Sequence, residues 1–248
     1  MNWGRLSAAN YRGARVPRAL GIWLAAAAVL SAVAIHATPG SKVGAAGWGV
    51  LAGSILVFIA GLIDDLVPVG PRGLREHLRS LAAGHMTTGI LKLLISGGCS
   101  LVIVALQPDR PLPVQLAGAL LMAASANLWN ALDVQPGRAI KLFLLVGVFL
   151  LPVDWRLAPT VPGAWGASVL ALGFDLRERA MLGDGGSNLL GITAGVGLYV
   201  GLPAWGVVAA AAAAVALNLA AETVTLSRLI DATPPLRWID RLGRWRPT

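Results

Sequence analysis

Charge is what this chain has least of: Asp, Glu, Lys and Arg together make up 13% of its 248 residues, about half the usual share of a soluble domain. That scarcity excludes a solvated globular surface. With 56% apolar residues, it points to one integral membrane domain over 1–248, with 1–17 and 230–248 as terminal segments outside the apolar region. Cysteine is nearly missing too. The lone Cys99 excludes an intrachain disulfide and a CxxC metal site, and its apolar neighbours suit a small packing residue. Histidine is confined to His36, His77 and His85, with no metal-ligand spacing. Acids number 12 against 20 Lys and Arg, a net charge of +8. In a membrane protein such an excess reflects topology and anionic lipid rather than nucleic acid.

What is there is a series of apolar runs, punctuated by Pro, Gly and charge: 18–37, 45–63, 87–106, 113–132, 139–153, 160–176, 186–202 and 204–229. They predict an all-α, polytopic transmembrane helix bundle of about eight spans. The fifth to seventh runs fall short of the ~20 residues of a full span. A basic start, an apolar core and Ala37 resemble a signal peptide, but the run is long and the pattern continues, so a retained first span is expected. Placing both termini in the cytoplasm puts Arg5, Arg12, Arg15, Arg18, Arg72, Arg75, Arg79, Arg138, Lys141, Arg177 and Arg179 inside, with Arg228, Arg237, Arg241, Arg244 and Arg246. Only Lys42, Arg110 and Arg156 are left outside. This bias sets the orientation of the whole bundle.

On that orientation three polar clusters reach one membrane face. "VFIAGLIDDLVPVG" (57–70) ends its span in Asp64 and Asp65. Inside hydrocarbon each charge would cost ~2.5–3.5 kcal/mol, and an acid at a helix C-terminus opposes the macrodipole. A cation would offset both penalties; a solvated helix end is the alternative. "NLWNALD" (127–133) spaces Asn127, Asn130 and Asp133 three apart, a polar stripe on one helical face. Interhelical hydrogen bonding is its bland explanation. "MLGDGGSN" (181–188) supplies a Gly-rich turn, Asp184, Ser187 and an amide at a helix start. Free N–H groups there suit phosphate and Asp184 can hold Mg2+, although ordinary turns use the same residues. Lys92, in "TTGILKLL", either snorkels to the interface or meets a phosphate or the carboxylates. Asn218 and Glu222 share a face of the last span, where structural pairing is expected. "PPLRWIDRLGRWRPT" alternates apolar and basic residues, as an interfacial segment with Trp238 and Trp245 at headgroup depth does. Arg237, Arg241 and Arg244 are its candidates for an anionic substrate.

Taken in order, "LIDDL" (62–66), "NLWNALD" (127–133) and "MLGDGGSNLLG" (181–191) resemble the motifs of the polyprenyl-phosphate N-acetylhexosamine-1-phosphate transferases. That family includes phospho-MurNAc-pentapeptide translocase and the GlcNAc-1-phosphate transferases, and the resemblance covers nearly the whole chain. It implies a Mg2+-dependent enzyme, Mn2+ being an alternative, that passes a sugar 1-phosphate from a UDP-sugar to polyprenyl (undecaprenyl) phosphate and releases UMP. The setting implied is the cytoplasmic face of a bacterial-type inner membrane, in cell-envelope glycan synthesis, with a homodimer compatible. By the same resemblance Asp64 and Asp65 act near the lipid phosphate, and Asp184, with Asp65, binds the metal. Asn127, Asn130 and Asp133 surround the nucleotide and metal, while Lys92, Ser187 and Arg237 contact substrate. "VPRALG" (16–21) is loosely similar to a Pro–Gly loop of the family.

The chain is a short, divergent match. The family's first and last spans have no counterpart, Pro68 follows the acid pair, and Val134 and Pro136 interrupt the second half of the Asp–Gly motif. "PPLRWIDRLGR" stands in place of the muramyl enzyme's His-rich loop, which argues against a muropeptide donor. Two other readings stay open. One is a catalytically degenerate member that binds polyprenyl phosphate or a partner enzyme without turnover. The other is a small transporter, whose site should lie near the bilayer midplane rather than at one face.

Overall fold

The computed structural model describes residues 6–10, 12–67, 74–107, 109–223 and 226–244. A short hairpin, β1 (Ser7–Ala9) and β2 (Arg15–Pro17), precedes α1 (Leu20–Ala37), α2 (Ala45–Leu66), α3 (Leu74–Ala82) and α4 (Thr88–Ala105). Then come α5 (Leu112–Leu132), α6 (Arg138–Leu150), α7 (Thr160–Leu176) and α8 (Gly183–Gly201). The chain closes with α9 (Ala204–Thr223), α10 (Leu226–Ala232) and α11 (Pro234–Arg241). Every apolar run contains a helix. Among the described residues five helices, α1, α2, α4, α5 and α9, are long and apolar enough to cross a membrane. Helices α6 and α7, with 13 and 17 residues, are shorter. Of the last run, expected to continue to 229, α9 covers Ala204–Thr223 and α10 begins at Leu226, with 224–225 outside the described residues. The hairpin is the departure from an all-α chain, with Ala8 opposite Val16 in antiparallel register.

Local chemistry starts these helices where their sequences allow it. The Thr87 hydroxyl accepts the Ile90 N–H at 3.3 Å and caps α4. Proline in the first turn of α5 sits where no N–H is needed. Helix α8 is different, because glycine runs through it and its residues are buried on nearly every side. Glycine weakens an isolated helix by roughly 1 kcal/mol per residue. Here its absent side chain admits neighbours: a Cβ on Gly191 would lie 2.4 Å from the Ser125 carbonyl oxygen of α5. One on Gly195 would lie 2.7 Å from Met122 Cα, and one on Gly61 of α2 would lie 2.5 Å from the Asp184 carbonyl oxygen. In lipid, where apolar surface gains little by leaving its surroundings, such close backbone packing is what associates helices. Helix α8 is therefore the axis, packed by α1, α2, α5 and α6.

A side chain on this axis should part the bundle. Gly191→Leu is expected to lower the detergent melting temperature by at least several degrees, since overpacking costs about 1–3 kcal/mol. Gly166→Leu, where a Cβ meets nothing within 4 Å, is the control and should melt as the wild type does.

Candidate active site

The last turn of α2, the first turns of α4 and α8 and the last turn of α5 end together, and their polar residues converge. Asp65, 4% exposed, accepts the Asp184 N–H on Oδ1 at 3.0 Å and the Gly185 N–H on Oδ2 at 3.1 Å. Arg18, between the hairpin and α1, pairs with the same carboxylate at 2.8 Å and donates to the Asp65 carbonyl oxygen at 3.0 Å. The acid that opposes the dipole of its own helix is thus held by the N-terminus of another. Gly183 makes the approach possible: its φ is +69°, and a Cβ there would stand 2.6 Å from Asp65 Oδ2.

Asp64 faces elsewhere. Lys92 Nζ lies 2.5 Å from Asp64 Oδ2 and 2.7 Å from Asp184 Oδ2, so one ammonium bridges two carboxylates. Ser187 donates its hydroxyl toward the Gly183 carbonyl oxygen at 3.0 Å and Asn130 Oδ1 at 3.2 Å, tying α8 to α5. Asn127 donates to Asn218 Oδ1 at 2.5 Å, and the Asn218 amide donates to the Ala124 and Ala214 carbonyls at 2.9 and 2.8 Å. Beside these groups opens a cavity of about 290 Å³ lined by Lys92, Asn127, Asn130, Asn188, Asn218 and Glu222, with Val57 and Leu93 as apolar wall.

The expected stripe of Asn127, Asn130 and Asp133 divides. Asp133 lies past the end of α5 with ψ of 41°, outside helical geometry. It lines a second cavity of about 280 Å³ with Asp175, Glu178, Gln135 and Asn10. The hairpin closes over that side. Asn10 donates to Glu178 Oε2 at 2.6 Å, and Arg12 pairs with Glu178 at 3.2 Å. The Met181 N–H donates to the Pro17 carbonyl at 2.9 Å, which fixes the chain entering Arg18.

Arg237 is exposed on α11 and lines neither cavity. The inward residue of α11 is Asp240, which accepts both arms of Arg138 at 2.8 and 3.1 Å and pairs with Arg244. Lys141 donates to the Ile239 and Asp240 carbonyls. Arg5, Pro68, Arg72, Trp245 and Arg246 lie outside the described residues. Arg18 is the site residue that sequence reasoning missed, since nothing but its place after "VP" distinguishes it from three other N-terminal arginines.

The residues present fit a divalent cation in one arrangement. Mg2+ in phosphate-handling sites is bound by one or two carboxylates together with substrate phosphates. Asp64 and Asp184 already share a cation, the Lys92 ammonium. Asp65, expected to ligate metal with Asp184, has both oxygens engaged by backbone N–H groups and Arg18. Among the described residues no cluster of three or more His, Cys, Asp or Glu side chains forms a ready-made cage.

Two outcomes follow from this geometry. Gly183→Ala should displace Asp65 and destabilise the junction of α2 and α8, which limited proteolysis at residues 176–186 can detect. At α11, burial works to raise the Asp240 carboxyl, but the hydrogen bonds and charge of Arg138 and the charge of Arg244 outweigh it and hold the group below its ordinary value. A lowered folded-state value means that the clamp contributes fully above the unfolded value of 3.8 and is lost as pH falls through the folded one. Melting temperature should therefore drop on acidification below about pH 4 in the wild type and less steeply in Asp240→Asn. No family model, curated protein or solved structure matches this chain.

Proposed function

We propose that this chain transfers a sugar 1-phosphate from a UDP-sugar to polyprenyl phosphate, forming a polyprenyl-diphospho-sugar and UMP. The observation that carries the reading is the convergence of Asp64, Asp184 and Lys92, from three helices, beside a cavity lined with amides. Two of the motifs that resemble the transferase family supply Asp64 and Asp184, and the third supplies the cavity amides Asn127 and Asn130. The excess of Lys and Arg in the segments at this end of the bundle supports a cytoplasmic orientation, where a lipid phosphate and a nucleotide sugar can meet.

In the reaction, an oxygen of the lipid phosphate attacks the phosphorus that carries the sugar. The bond from that phosphorus to the bridging oxygen breaks, and UMP leaves with that oxygen. Both partners are anions, so positioning and charge neutralisation are the main tasks of the protein. Asp64 orients the lipid phosphate and accepts its proton. Lys92 meets phosphate oxygens, and Asn127 and Asn130 fix the nucleotide from the α5 side. A bound Mg2+ or Mn2+, held by Asp184 and Asp64, would supply Lewis-acid stabilisation of the diphosphate. Asp65 holds α2 against α8 and keeps the other two acids aligned. Engagement of both its oxygens speaks against a covalent intermediate on Asp65.

Purified protein with undecaprenyl phosphate, Mg2+ and a panel of UDP-sugars should release UMP with one preferred donor. Chelator should abolish the release, and Asp64→Asn or Asp184→Asn should reduce it at least about 100-fold. Binding of labelled lipid without UMP release from any donor would leave a binding role in its place.

A further inference from the structure

We infer that Lys92 is a built-in counter-cation that occupies the divalent-metal position until a diphosphate arrives, so that metal and anionic substrate bind the centre together. The inference rests on the metal-dependent reading of the centre given above. Its basis is the position of one atom. Lys92 Nζ touches one oxygen of Asp64 and one of Asp184 at 2.5 and 2.7 Å. Mg2+ holds its oxygens at about 2.0–2.1 Å, so a metal bound by these two oxygens competes with the ammonium for the same two atoms. Two cations at the same carboxylates would also repel each other. Occupancy by Lys92 therefore opposes occupancy by metal.

Lys92 has an alternative position. Its side chain also lines the amide-bordered cavity, and a lysine carries its charge on a flexible four-carbon stem. Leaving the carboxylates strips the ammonium of its partners in a poorly solvated place, which is costly unless another anion receives it. A substrate phosphate in the cavity is such an anion. Arg18 cannot substitute, because it is committed to Asp65. Lys92 is the only basic side chain paired with Asp64 or Asp184 among the described residues. The free centre is therefore nearly closed to a lone divalent cation, and each ligand raises the affinity for the other.

Mn2+ titration of the purified full chain, read by the electron paramagnetic resonance signal of free Mn2+, tests this without turnover. Wild-type protein should bind Mn2+ weakly alone and about tenfold more tightly with UDP present. Lys92→Met should bind Mn2+ about tenfold more tightly than wild type without UDP, and UDP should then add less than about threefold. Asp184→Asn in the Lys92→Met background should remove the gain. Equal or weaker Mn2+ binding by folded Lys92→Met overturns the inference, whether or not the wild type releases UMP. Should Lys92→Met fail to fold, the wild-type titration decides alone: no enhancement by UDP overturns it. The transfer reading stands or falls separately on UMP release. A gain in Lys92→Met beside a wild type that releases no UMP would leave the counter-cation in place and remove the transferase.

Discussion

A carboxylate buried at the C-terminus of its own helix is in the wrong field, and the polar end of this bundle is organised around correcting that for Asp65. Its neutralisation comes from the first N–H groups of α8 and from Arg18. Each donor fixes a different part of the chain: α8 is drawn against α2, and the segment before α1 is drawn over both. Because Asp184 supplies one of those N–H groups, its side chain can face only the direction that the turn permits, toward Lys92. Removing the Asp65 charge would release the geometry of groups that never touch it.

The same junction explains why the axis of the fold is a poor helix by propensity. A helix of larger residues would form more readily alone, but it could not bring the Asp184 carbonyl within reach of Gly61, or Gly191 against Ser125. Local helix stability is given up for backbone proximity, and the returned energy is dispersion and electrostatics between helices. The glycines of α8 thus serve two purposes. Those at its start shape the carboxylate cradle, and those further along let α5 deliver Asn130 to Ser187.

Much of this was legible in the sequence, because apolar run length measures helix length directly. Each of the eight runs contains a helix, and the shortness of α6 and α7 was visible beforehand, whereas the seventh run, also expected to be short, forms the 19-residue α8. What eluded sequence reasoning depends on rotation and on termini. Neighbouring residues on a helix point about 100° apart, so Asp64 turns to α4 while Asp65 turns to α8, a distinction that spacing alone does not contain. The stripe ending in Asp133 assumed that α5 continued through it, yet the helix stops one residue earlier, and Asp133 lines the second cavity while staying within electrostatic reach of Asp65 and Asp184. Arg237 failed to reach a cavity for a similar reason: the rotation of α11 is set by Asp240 locking onto Arg138. Three-residue strands carry no readable period, and the hairpin owes its place to Glu178 and Met181, far along the chain.

Charge balance at the centre links these features to chemistry. In its ion pairs three carboxylates, Asp64, Asp65 and Asp184, share two cations, Arg18 and Lys92, and Asp133 lies within electrostatic reach of the same group, so acids outnumber bases where, on the proposed function, two phosphate-bearing substrates would meet. Such a centre would repel phosphate-bearing ligands unless positive charge were brought in, and both bases paired at it among the described residues are already engaged by carboxylates. On the proposed function, a divalent cation arriving with a diphosphate would bring that anion in without adding net negative charge, and the lysine that it displaced would be free to pair with the second anion. The deficit of positive charge would then act as a filter against either anion arriving alone.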